Sequence, residues 1–98
     1  MKNLDLKIKM IEMLIEAEEN EKILYIRHFT EKLNADKKQV KEVIQELKNS
    51  KAIQTEYGVN DDGMLSGRGY VLTYEITRWS IREWLQVLKN LQKEEGNL

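Results

Sequence analysis

The chain contains no cysteine, no proline and a single histidine. Without thiols there is no disulfide scaffold, no thiolate nucleophile, no iron–sulfur ligation and no cysteine–histidine zinc site. One histidine without a visible nucleophile or metal-ligand partner leaves little for acid–base or metal chemistry, so neither catalysis nor a cofactor or metal is expected. No apolar run approaches the roughly 18 residues of a membrane span, and Met1 to Asp5 lacks a signal peptide's apolar core; a cytoplasmic protein with no membrane partner is expected. Glycine is scarce as well, and four of the five fall between residues 58 and 69, which marks that stretch as a loop.

What is present suits one helix-rich domain: 98 residues, 41 % hydrophobic and 34 % charged. The net charge of -1 looks unpromising for nucleic acid, but it is unevenly spread. Residues 1–20 carry three lysines against five acids, whereas residues 36–51 carry five lysines against three acids.

Leu4, Ile8, Ile11 and Ile15, flanked by Met10, Leu14 and Ala17, form a helical stripe. The opening Leu4 to Met10 also alternates with period two, as a strand would, but Glu12, Glu16 and Glu18 fill a helix's polar face. Ile23-Leu24-Tyr25-Ile26 reads as a short strand running into a helix that continues to Leu33, where Asn34 interrupts. Asp36 suits an N-cap, with Gln39 placed to complete a capping box. In the helix that follows, Val40, Val43, Ile44 and Leu47 share a stripe, and Lys37, Lys38, Lys41, Glu42, Gln45 and Lys48 lie outside it. Alternation at Ile53, Thr55 and Tyr57, then at Tyr70, Leu72, Tyr74 and Ile76, predicts two strands joined by a loop from Gly58 to Gly69. Ser80 with Glu83 opens a last helix with Ile81, Trp84, Leu85, Leu88 and Leu91 on its apolar side, and Lys93 to Leu98 reads as a frayed tail.

The expected order is thus α-β-α-α-β-β-α, an α+β fold that is mainly α. The run from Ile26 to Leu47 closely resembles a bacterial helix-turn-helix core, with Phe29, Leu33, Asn34, Ala35, Val40, Ile44 and Leu47 at the positions that lock the two helices together. Leu47 to Ile53 is similar to that family's approach to its first wing strand, with Lys51 where glycine is usual, and Tyr70-Val71-Leu72-Thr73 is similar to its second. The resemblance is to the winged helix-turn-helix superfamily, specifically to PadR-like and MarR-like regulators. It implies one winged-helix domain over residues 1–98: a helix-turn-helix core at about 26–50, a wing hairpin at about 52–76 and a C-terminal dimerisation helix at about 78–94.

Residue chemistry points the same way. Lys37, Lys38, Gln39, Lys41 and Gln45 place donors on the early turns of the second core helix, where glutamine reads adenine and lysine neutralises phosphate. Arg68, flanked by glycines, is positioned to enter a minor groove. The expected partner is double-stranded DNA, bound by a homodimer that regulates transcription. Ile81, Trp84, Leu85, Leu88 and Leu91 are the expected dimer interface, the alternative being that this helix closes the core of its own chain against the first helix. The resemblance also admits a small apolar effector near the last helix. Against DNA stand Asp61 and Asp62 on the loop of Arg68, and Glu42 and Glu46 within the basic helix. A winged-helix adaptor that binds protein is therefore the alternative. His28 reads as a structural or surface residue, and Asp61-Asp62-Gly63 as a turn without calcium-loop spacing. Gly67-Arg68-Gly69 is too short for a dinucleotide fingerprint.

Overall fold

A computed structural model describes residues 4–59, 65–73 and 79–96. Its elements run α1 (Leu4–Glu19), α2 (Ile26–Leu33), α3 (Lys37–Asn49), β1 (Ile53–Val59), β2 (Leu65–Leu72) and α4 (Trp79–Gly96). The fold is α+β and mainly helical, with β1 and β2 pairing antiparallel. No described helix is long and apolar enough to cross a membrane.

The hub is α1, which packs against α2, α3, β2 and α4. A helix contacted from several sides must be apolar over more than one stripe, and Leu4, Ile8, Met10, Ile11, Leu14, Ile15 and Ala17 are all buried. This pattern settles the period-two ambiguity at its start in favour of helix. Along α4, Ile81 and Leu88 complete the same core. Asp5 accepts from Gln92 Nε2 at 2.8 Å, Glu12 lies 3.9 Å from Lys89, and Glu19 pairs with Arg82. Rising numbers on α1 meet falling numbers on α4, so the two helices run antiparallel. The Gln92 amide, followed by Lys9, holds the Asp5 carboxyl below its ordinary pKa. Exposed ion pairs of this kind contribute little net stability, and their effect is mainly on register.

The connection from α2 to α3 is Asn34-Ala35-Asp36. Asn34 adopts the left-handed conformation (φ 49°, ψ 46°) that asparagine tolerates, and the Asn34 and Ala35 N–H groups both donate to the Thr30 carbonyl, closing α2. Asp36 then starts α3 from an extended backbone, its carboxylate accepting from the Lys38 N–H at 3.4 Å. At the start of α2, the Tyr25 N–H donates to His28 Nδ1 at 2.9 Å and the His28 N–H donates to the Tyr25 carbonyl at 2.9 Å. The lone histidine thus ties down a helix end, in line with its structural reading.

Three local expectations need correction. The segment from Ile23 to Ile26 is not a strand: Leu24 makes a single bridge to Tyr70, with N–H···O distances of 3.2 and 2.7 Å, and α2 begins immediately at Ile26. The hairpin loop is shorter than Gly58 to Gly69, because Gly58 pairs with Gly67 and Glu56 with Gly69 in the ladder, with a bulge beside Val59. Backbone pairing outweighs the turn-like composition, and glycine here permits close approach rather than a turn. The last helix continues to Gly96, so Lys93 to Gly96 is not a frayed tail; Ser80 lies one residue inside its described start. Asp61, Asp62 and Gly63 of the loop, and Tyr74 and Ile76 of the expected second strand, lie outside the described residues.

Gly69 illustrates that close approach. A Cβ there would stand 2.1 Å from Ile23 Cγ2, 3.0 Å from the Leu24 carbonyl oxygen and 3.3 Å from the Tyr25 ring. The Ile23 side chain can rotate away, but the Leu24 carbonyl is held by the Tyr70 N–H. Gly69→Ala is expected to cost about 1–3 kcal/mol as an overpacked contact, read as a lower urea midpoint at unchanged slope. An unchanged midpoint would mean that the Leu24 bridge is not formed.

Candidate nucleic-acid interface

Helix α3 divides cleanly. Val40, Val43, Ile44 and Leu47 are buried and fix its orientation against the core. Lys37, Lys38, Gln39, Lys41 and Gln45 are all exposed. Lys37, Lys38, Lys41, Glu42 and Gln45 border one shallow depression, so charges that are scattered in sequence share one surface. The first turn adds the partial positive charge of a helix N-terminus, which Asp36 only partly satisfies. Gln45 Nε2 donates to Asn49 Oδ1 at 2.9 Å one turn on, which orients the glutamine amide along the helix.

Helix α2 is anchored by Phe29, its one fully buried residue, with Leu33 and Ala35 partly buried behind it. Two helices joined by a three-residue turn, one held by the core and the other showing a polar face, are thereby set in a fixed relation. No protein-family model, curated protein or solved structure matches this chain. Its functional reading therefore rests on the residues themselves.

Of the acids that stood against DNA, Glu46 is occupied: its carboxylate lies 3.5 Å from Lys7 Nζ, whose side chain is only 11 % exposed. Lys7 also sits 5.1 Å above the Trp84 ring, a cation–π distance. Sequence reasoning missed this lysine. The signal was a charge inside a buried period, since Lys7 falls three residues after Leu4 and four before Ile11, both buried. Arg27, at the start of α2, lies 5.2 Å over the Tyr25 ring. Arg68 is placed in β2 opposite Tyr57, and its side chain lies outside the described residues.

The expected dimer residues separate into two sets. Ile81 and Leu88 are 1 % and 4 % exposed within the chain's own core, so they are not a free surface for a second copy. An apolar helix face does not reveal from sequence which part its own domain will cover; these two belong to the core and not to an interface. Trp84 and Leu85 are half-buried, and Leu91 is exposed together with Val87. A groove of mixed lining runs beside α1 and α2, where Met13, Ala17 and Leu24 stand with Glu16, Lys22 and Lys32.

Proposed function

We propose that this chain is a winged helix-turn-helix protein that binds double-stranded DNA, acting in the cytoplasm as a homodimeric transcriptional regulator. In this reading α3 enters a major groove and the β1–β2 hairpin follows the flanking backbone as the wing. The observation that carries it is the exposed set Lys37, Lys38, Lys41 and Gln45 on one surface of a helix held to the core by Val40, Val43, Ile44 and Leu47, with Gln39 exposed on a neighbouring face. Lysines there neutralise phosphates and position the helix, while Gln39 and Gln45 supply the side chains suited to reading adenine edges. Val87 and Leu91, with the half-buried Trp84 and Leu85 beside them, are the α4 surface for the second copy. A two-fold dimer would present two such helices to half-sites about one helical turn apart.

The test is duplex binding across a salt series, followed by selection of bound sequences from a random pool. Binding should be measurable near ~50 mM salt and fall log-linearly as salt rises. Gln39→Ala should relax preference at one base pair, at about 1–3 kcal/mol of discrimination, while leaving the salt slope unchanged. Absence of salt-dependent binding at ~50 mM would overturn the reading in favour of a protein-binding adaptor built on the same elements.

A further inference from the structure

We propose that Lys7 is a positioning residue that couples the outer side of α4 to the charge of α3. Its side chain is nearly withdrawn from water, yet it belongs to neither helix. It rests 3.5 Å from the Glu46 carboxylate of α3 and 5.1 Å from the Trp84 ring of α4. Folding a lysine side chain against the core is costly unless its charge is paired, so Lys7 holds its place only while both neighbours hold theirs. Trp84 lies three and seven residues before Val87 and Leu91, which puts it at the border of the exposed apolar stripe of α4. Whatever covers or shifts that stripe acts on the indole that supports the ammonium.

The charge consequence falls on α3. With Lys7 in place, the Glu46 carboxylate is neutralised and the polar surface of the helix is dominated by its lysines. With Lys7 released, a full negative charge returns to a helix that must approach phosphates. Occupancy of α4 and affinity at α3 are then linked, and by thermodynamic necessity the linkage is reciprocal. Only the affinity half of this inference rests on the DNA reading given above; the contact between three helices does not.

Two measurements test the two halves separately. In the free protein, Glu46→Gln should shift the indole N–H resonance of Trp84 in a two-dimensional nitrogen–proton NMR spectrum, and the same substitution in a Lys7→Met background should not, because the lysine between them is gone. Trp84→Phe assigns the resonance, and Trp79 is the internal reference. An unmoved Trp84 signal overturns the coupling. For affinity, Lys7→Met keeps an unbranched apolar stem beside Trp84 and is expected to weaken duplex binding about fivefold, the low end of inter-site coupling, without lowering the melting temperature. Adding Glu46→Gln to Lys7→Met should restore the parent affinity. If Lys7→Met binds as the parent does, or if the double variant stays weak, the coupling is overturned. If the parent chain binds no duplex, the DNA reading falls and the indole measurement alone decides the coupling.

Discussion

Replacing Lys37, Lys38 and Lys41 together by alanine is expected to weaken duplex binding about a hundredfold at low salt, taking about 1 kcal/mol per lost charge-assisted contact. The slope of log affinity against log salt should flatten by about 0.9 for each lysine that meets a phosphate, or about 2.7 for all three. All three side chains are exposed on α3, and the residues that hold that helix are Val40, Val43, Ile44 and Leu47 on its other side. Substitutions at such positions usually change stability by no more than about 0.5 kcal/mol each, so the variant should melt as a folded protein. Lys93→Ala, an exposed lysine on α4, should leave the slope as it was. A triple variant with parent affinity and parent slope would show that this side of α3 does not meet DNA.

The second large effect concerns stability. Phe29→Ala removes the only fully buried side chain of α2, an eight-residue helix whose remaining grip on the core comes from partly buried residues such as Ile26 and Leu33. Truncating a buried phenylalanine costs about 3–5 kcal/mol, against a total of about 5–15 kcal/mol for a domain of this size. The melting temperature measured by circular dichroism should fall by roughly 15–30 °C, and α2 should lose its fixed relation to α3. Phe29→Leu, which refills most of the space, should recover the larger part of the loss. A small shift for Phe29→Ala would mean that the turn from Asn34 to Asp36, not the core, sets the position of α2.

Long periodic segments were readable from residues alone. The α1 stripe and the Asp36 start of α3 follow from side-chain spacing and cap chemistry, and the polar set on α3 follows from the buried stripe opposite it. What could not be read depended on neighbours distant in sequence. Gly67 and Gly69 have the composition of a turn, and only the stretch from Ile23 to Tyr25 lying across Gly69 explains why the strand residue there must be small. Gly67 also takes φ 127°, which side-chain-bearing residues avoid. Lys51 takes φ 60° at the α3–β1 junction, a conformation glycine would adopt freely, while the following Ala52 carbonyl accepts from the Thr73 N–H at 3.0 Å. Lys7 shows the opposite limit: its charge marks it for the surface, and only a carboxylate on α3 and an indole on α4 make burial tolerable.

The antiparallel pairing of α1 with α4 has a consequence for how the chain is made. Asp5 and Gln92 meet across 87 residues, so among the described elements the partner of α1 is made well after it. At translation rates of about 5–20 residues per second, the α4-facing side of α1 waits on the order of 5–15 s for its cover. Chains that stop before α4 therefore carry an uncovered apolar helix, and this domain is most exposed to aggregation before α4 has docked.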